Sequence, residues 1–197
     1  MKYRKLGKTN LNLSVIGLGT FQFGGEWGKS FVQTEVDKIL EQAYELGINF
    51  IDTAECYGNH LSESLIGKAL ERKRKSWIIA TKFGHKFNGH MDRTSGWSPK
   101  EVIAQLEQSL KHLKTDYVDL YQFHSGSNEE FDHDGLWTAL DKQVKAGKIR
   151  YLGISIQHTA VQNDNLYQVK LAKTVNVSAI QVVYNMLSQE AEKILLP

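Results

Sequence analysis

Asp52, Tyr57, Lys82 and His124 are side chains of complementary acid–base type. A phenol with an ordinary pKa of ~10 is a poor proton donor at neutral pH unless its anion is stabilised. A lysine ammonium within hydrogen-bond reach favours the phenolate and supplies that stabilisation. A carboxylate such as Asp52 would hold the lysine charged and in place, and a histidine would orient the group being protonated. Together they suit protonation of a carbonyl oxygen as a hydride arrives at the carbon. The set contains no activated nucleophile and no carboxylate pair. Side chains do not donate hydride, so a nicotinamide is the natural donor.

The elements that must position these residues follow from hydrophobic periodicity. Residues 2–6 and 11–18 read as two short strands around the turn Gly7-Lys8-Thr9-Asn10, a small N-terminal hairpin. Helical spacing over 35–46, with Gly47 as a stop, is followed by a strand-like run at 48–52. Helices are then expected at 62–70, 99–113, 134–146 and 166–173, with strands at 77–81, 117–123, 149–155 and 179–184. Ser98-Pro99 is a helix start signal, and Ser188 opens a last helix that runs to the final residue, Pro197. With 15–19 counted as a strand, six strands alternate with five complete helices, which implies βαβ units and a parallel sheet. Runs such as Trp77-Ile78-Ile79-Ala80, apolar without alternation, suit strands covered on both faces. Two architectures satisfy this pattern, an open doubly wound sheet and a (β/α)8 barrel. In both, Asp52, Lys82 and His124 fall at the carboxyl ends of successive parallel strands. Tyr57 lies five residues after Asp52, so all four face one opening.

Composition excludes several other classes. The 197 residues form one domain, with 41% hydrophobic and 23% charged residues, an ordinary globular balance. A net charge of +2 does not argue for nucleic acid or an anionic membrane. The basic run Arg72-Lys73-Arg74-Lys75 reads as a solvated helix end, where cations suit the helix dipole. The single cysteine, Cys56, forms no disulfide framework. With no apolar span or signal-like segment in the sequence, the expected location is the cytoplasm. Two fragments imitate nucleotide motifs. Gly17-Leu18-Gly19-Thr20-Phe21-Gln22 has Gln22 in place of the third glycine, and Gly28-Lys29-Ser30 follows Phe23 where a P-loop needs glycine. His85 and His90 have no third ligand in sequence, so no metal is expected.

Beyond the four ionisable groups, several motifs occur in order along the chain. They are Gly17-Leu18-Gly19-Thr20, Asp52-Thr53-Ala54 with Tyr57-Gly58, Thr81-Lys82, His124, and Gly147-Lys148-Ile149-Arg150 leading to Gly153-Ile154-Ser155. This series resembles the aldo-keto reductase superfamily, closest to its bacterial and potassium-channel β-subunit-like branch. The resemblance implies an α/β fold, a (β/α)8 TIM barrel with about six of its eight β/α units present and the N-terminal β-hairpin plugging its base. It implies NADPH as cofactor and a small-molecule carbonyl substrate, with Tyr57 as general acid, Lys82 tuning it, Asp52 holding the lysine and His124 orienting the carbonyl. Gly19, Thr20, Phe21 and Asp52 would lie on the cofactor side, and Ser155 and Gln181 would bond the nicotinamide carboxamide. Trp27, Phe83 and Trp97 would be substrate-pocket walls favouring apolar aldehydes or ketones, or else hydrophobes that anchor loops.

Two departures from the family pattern stand out. Ile156 replaces the usual polar residue after Ser155, which removes one carboxamide hydrogen bond, worth about 1 kcal/mol, unless a backbone group supplies it. The chain also stops within the sixth helix, short of strands seven and eight and the pyrophosphate loop. A piece of a longer protein is the favoured expectation over a fragment that completes itself by oligomerising, since an unclosed barrel leaves bare strand edges. The leading functional expectation is an NADPH-dependent reductase of aldehydes and ketones. The alternatives are a cofactor-binding regulatory subunit and a catalytically silent fragment.

Overall fold

The computed structural model describes residues 1–162 and 166–196; residues 163–165 and Pro197, and so the expected end of the last helix, lie outside the described residues. The first two strands, β1 (Tyr3–Lys5) and β2 (Asn12–Ser14), form the expected antiparallel hairpin. The stretch expected to continue it is instead a separate short strand, β3 (Leu18–Gly19). After it come α1 (Gln33–Glu45), β4 (Phe50–Asp52), α2 (Leu61–Leu70), β5 (Ile78–Phe83), the strand pair β6 (His85–Gly89) and β7 (Asp92–Ser95), and α3 (Pro99–His112). The chain continues through β8 (Val118–His124), α4 (Asn128–Phe131), α5 (Leu136–Lys145), β9 (Ile149–Ser155), α6 (His158–Gln162), α7 (Tyr167–Leu171), β10 (Val177–Gln181) and α8 (Glu190–Ile194).

The six strands β3, β4, β5, β8, β9 and β10 form one parallel sheet in sequence order. A doubly wound sheet reverses its strand order at a switch point. Here each new strand adds to the same edge, which is the winding of a (β/α)8 barrel. The alternation of side chains along a strand then divides the molecule. Ile79, Phe83, Tyr121, Phe123, Leu152 and Ile154 point to the helix side and are buried in the main hydrophobic core, together with Val36, Leu40, Val102, Leu106 and Leu140. Lys82, Gln122 and Gly153 occupy the opposite, inward face at matched register.

The hairpin closes the amino-terminal end of the sheet as expected. The Asn49 side chain bonds the backbone of Ser14 and Asn12, and Asn10 bonds the Tyr151 hydroxyl. At that same end Asp119, fully buried, accepts from Arg74 at 2.8 Å, Arg150 at 2.7 Å and the Ile79 N–H at 3.0 Å. Arg74 is therefore a structural cation and not part of a solvated helix end, while Arg72, Lys73 and Lys75 remain exposed.

Ser98 caps α3 with Glu101 in a reciprocal box, as Ser98-Pro99 signals. The pair β6–β7, read from sequence as a loop, carries half-buried His85 and leaves His90 exposed. Among the described residues no helix is long and apolar enough to cross a membrane.

Candidate active site

Lys82 organises the carboxyl ends of the strands. It is 2% exposed, and its ammonium donates to Asp52 Oδ1 at 2.8 Å, the Thr53 carbonyl at 2.7 Å and Tyr57 Oη at 3.1 Å. All three donors are spent, and the phenol oxygen accepts one of them, so the phenol proton is left to point elsewhere. Burial pulls Lys82 down, but Asp52 and then Tyr57 outweigh it and hold the lysine above its ordinary range. Burial pushes Tyr57 up, the Lys82 ammonium pulls against that, and Asp52 adds to the rise, so the phenol ends above its usual value. The expected pull of the lysine is present, but desolvation exceeds it. Tyr57 is thus a fully protonated phenol at neutral pH.

Tyr57 is placed by backbone packing. Gly24, at the end of a short 3-10 turn over residues 21–24, lies against Gly58. A Cβ on Gly58 would stand 2.2 Å from the Gly24 carbonyl oxygen, and Gly58 itself has φ +63°. Only glycine fits there, which gives Tyr57-Gly58 a physical reason. The same turn brings the Phe21 ring to 5.0 Å from the Tyr57 ring, edge to face. Exposed Trp27 lies 6.1 Å from Phe21, so it stands beside the mouth.

His124, at the end of β8, is 6.1 Å from Tyr57 between ring centroids and 4.9 Å from His85. Burial, then the charges of Lys82, His85 and Arg93, holds it well below the usual imidazole range, so it is neutral. Its Nδ1 lies 3.8 Å from Cys56 Sγ. Burial pushes that thiol up to about 12, so it keeps its proton, and the contact occupies Nδ1 and leaves Nε2 for the site. Glu55, Cys56 and His124 bring ligand-type atoms within 4.8 Å of one another.

The cofactor-side residues divide into two groups. Ser155 and Gln181 are register partners at the ends of β9 and β10. Among the described residues the Ser155 hydroxyl and the Gln181 amide nitrogen have no partner, and space in front of Gly19 is open. Ser155 and Gln181 are thus two adjacent polar groups of the kind that could bond a carboxamide. Thr20 is buried, and its hydroxyl donates to the Asp52 carbonyl at 2.9 Å, locking the strand ends together. Ile156 is 5% exposed in the core, and its N–H is spent on the Gln181 carbonyl at 3.0 Å. That N–H therefore cannot replace the missing polar side chain.

Two expected pocket walls are corrected. Phe83 is fully buried on the helix side, because Lys82 beside it takes the inward face. Trp97 is 5% exposed and packs on Phe123 at 4.4 Å, and on Phe83 and His85, so it anchors the end of β7. The residues that the sequence reading missed include Glu26 and Arg93. Buried Glu26 accepts from the Gly58 N–H at 2.9 Å, the Met91 N–H at 2.8 Å and the Arg93 guanidinium, tying β6–β7 to the Tyr57 loop. Burial raises the Glu26 carboxyl, but bonds from Arg93, Gly58 and Met91 bring it below the usual range. Glu26→Ala is expected to cost about 2 kcal/mol in a urea melt and to speed proteolysis within residues 85–95. Unchanged cleavage there would argue against the clamp. No local pattern marks this pair, since the partners are 67 residues apart.

Comparisons with known proteins agree with the geometry. The oxidoreductase YqkF of Bacillus subtilis, itself uncharacterized, is 34% identical over 197 residues, covering 98% of this chain and 59% of its own length. Aldo-keto reductase YhdN of Bacillus subtilis is 34% identical over 202 residues, covering all of this chain and 58% of its own. Among solved structures, the holo form of aldo-keto reductase AKR11C1 from Bacillus halodurans superposes with a TM-score of 0.78 at 33% identity, over 93% of this chain and 58% of that one. Glycerol dehydrogenase AKR11B4 from Gluconobacter oxydans gives 0.81 at 29% identity, over 100% of this chain and 59% of that one. The chain thus spans less than two thirds of each of these proteins. The family model described as "Aldo/keto reductase family" matches residues 15–197, and the chain belongs to that family.

Proposed function

We propose that this chain carries the acid–base half of an NADPH-dependent oxidoreductase that reduces small aldehydes or ketones to alcohols. The observation that carries the reading is the threefold bonding of the Lys82 ammonium to Asp52, the Thr53 carbonyl and Tyr57. When bound, the reduced nicotinamide supplies the hydride that the carbonyl carbon receives. The chain's own residues do the rest. His124, through Nε2, orients the carbonyl oxygen, and Tyr57 Oη delivers its proton there. The phenolate left behind is held by Lys82, whose charge Asp52 maintains, until solvent restores the proton.

Ser155 and Gln181 are the residues to hold the carboxamide. NADPH rather than NADH rests on the family resemblance. The relatives support the chemistry, since one is a glycerol dehydrogenase and another was solved in a holo form. Exposed Trp27 beside Phe21 is the remaining candidate wall, and its apolar face favours apolar carbonyl compounds.

Fluorescence titration with NADPH, followed by NADPH oxidation across a panel of aldehydes and ketones, tests this. Saturable binding and turnover are expected. Binding with no oxidation of any panel member would favour the regulatory-subunit reading, and no binding would favour a silent fragment.

A further inference from the structure

Gln122 lies two residues before His124 on β8 and is 2% exposed. It shares the inward face with Lys82, its register partner. Its amide nitrogen donates to Asp52 Oδ2 at 3.4 Å and to Gln181 Oε1 at 3.2 Å. These two bonds span from β4 to β10, past the strands between them. They reach that far because Gly153, the register partner on β9, has no side chain. A Cβ there would stand 2.9 Å from Gln122 Cγ and 3.3 Å from its Oε1.

The chemistry of the two contacts is complementary. Lys82 uses only Oδ1 of Asp52, and Gln122 occupies the second oxygen, which restricts rotation of the carboxylate. At Gln181, Gln122 donates into the carbonyl oxygen. That fixes which way round the Gln181 amide sits and leaves its NH2 as a donor on the open side.

We propose that Gln122 is a positioning residue that couples the two halves of the site, holding Asp52 towards Lys82 and Gln181 as a donor towards the carboxamide. The inference rests on the oxidoreductase reading above and adds to it the residue that links proton transfer to cofactor grip. Gln122 reaches neither reactant and acts through its two partners.

The test uses the full chain and NADPH itself. Gln122→Met keeps the volume and removes both donors. It is expected to weaken NADPH binding about fivefold, read by fluorescence titration. It should also move the high-pH limb of kcat upward by about half a pH unit, because Asp52, without its second donor, acts more fully on Tyr57. Combined with Gln181→Leu, Gln122→Met should weaken binding no further than Gln181→Leu alone. A merely structural role would lower stability and leave the pH limb and the non-additivity unmoved. Circular dichroism reports whether the variant folds. If Gln122→Met does not fold, Gln122→Leu, which likewise carries no donor, is expected to show the same two shifts.

Wild-type-like affinity and pH profile in a folded variant, or strictly additive losses in the double variant, would overturn the proposal and leave the oxidoreductase reading standing. Failure of the wild-type chain to bind NADPH would overturn both.

Discussion

Replacing Tyr57 by Phe is expected to lower carbonyl turnover about a thousandfold while changing NADPH affinity by no more than roughly twofold. The variant keeps the ring that packs on Phe21 and removes only the hydroxyl. The loss should appear in kcat and in kcat/KM alike, the signature of an interaction made in the transition state. In the wild type the acid is a phenol whose pKa burial holds above its usual value. Turnover should therefore stay level through neutral pH and fall only as the phenol ionises. In Tyr57→Phe that alkaline limb should vanish with the activity. Steady-state kinetics against pH, beside a fluorescence titration, measure both. Turnover close to wild type in a folded Tyr57→Phe variant would remove the phenol from the mechanism.

Glu55→Gln is expected to stabilise the protein at alkaline pH. Glu55 is 3% exposed, its Oε2 has no partner among the described residues, and its Oε1 accepts from the His85 N–H at 3.1 Å. Burial, with a further push from Glu63, raises its pKa to about 8 from an ordinary 4.5. The folded protein therefore keeps a proton that the unfolded chain releases. Stability from this group is complete below about 4.5 and is lost as pH rises through about 8. Each pKa unit corresponds to about 1.4 kcal/mol, so the loss is on the order of a few kcal/mol. The neutral amide introduced by Glu55→Gln would mimic the protonated acid, keep the acceptor for the His85 N–H and remove the titration. Urea midpoints at several pH values should fall between pH 5 and 9 in the wild type and fall less in the variant. Parallel curves for the two proteins would show that the Glu55 pKa does not differ between the folded and unfolded states.

Much of the fold was legible because its signals are local. Ser98-Pro99 marked the start of α3, and β9 began and ended at Ile149 and Ser155, as its apolar run implied. Asp52, Lys82 and His124 fell at strand ends because a change of period marks where a strand stops. Other features depended on partners far away in sequence. Residues 85–95 are polar and carry no strand signal of their own; they are held as a hairpin by Glu26, through Arg93 and Met91. Arg74 looked like one of four solvated cations until the fold set Asp119 beside it. Phe83 and Trp97 looked like pocket aromatics, but only the face on which a side chain emerges separates wall from core. For Phe83 the signal was at hand, since it adjoins inward-facing Lys82 on the same strand. Gln122 was equally accessible, two residues from His124 and so on the same face.

The amino-acid sequence alone determined the family, the alternation of strands and helices, and the identity of the four acid–base groups. These depend on residue type and short-range spacing, which any chain displays before it folds. Tertiary structure decided the protonation states and the connections. Desolvation outweighs the pull of Lys82 on Tyr57, Cys56 sits against Nδ1 of His124, and Gln122 reaches from Asp52 to Gln181 across a glycine. Burial and through-space distance are properties of the packed molecule, and no local pattern encodes them.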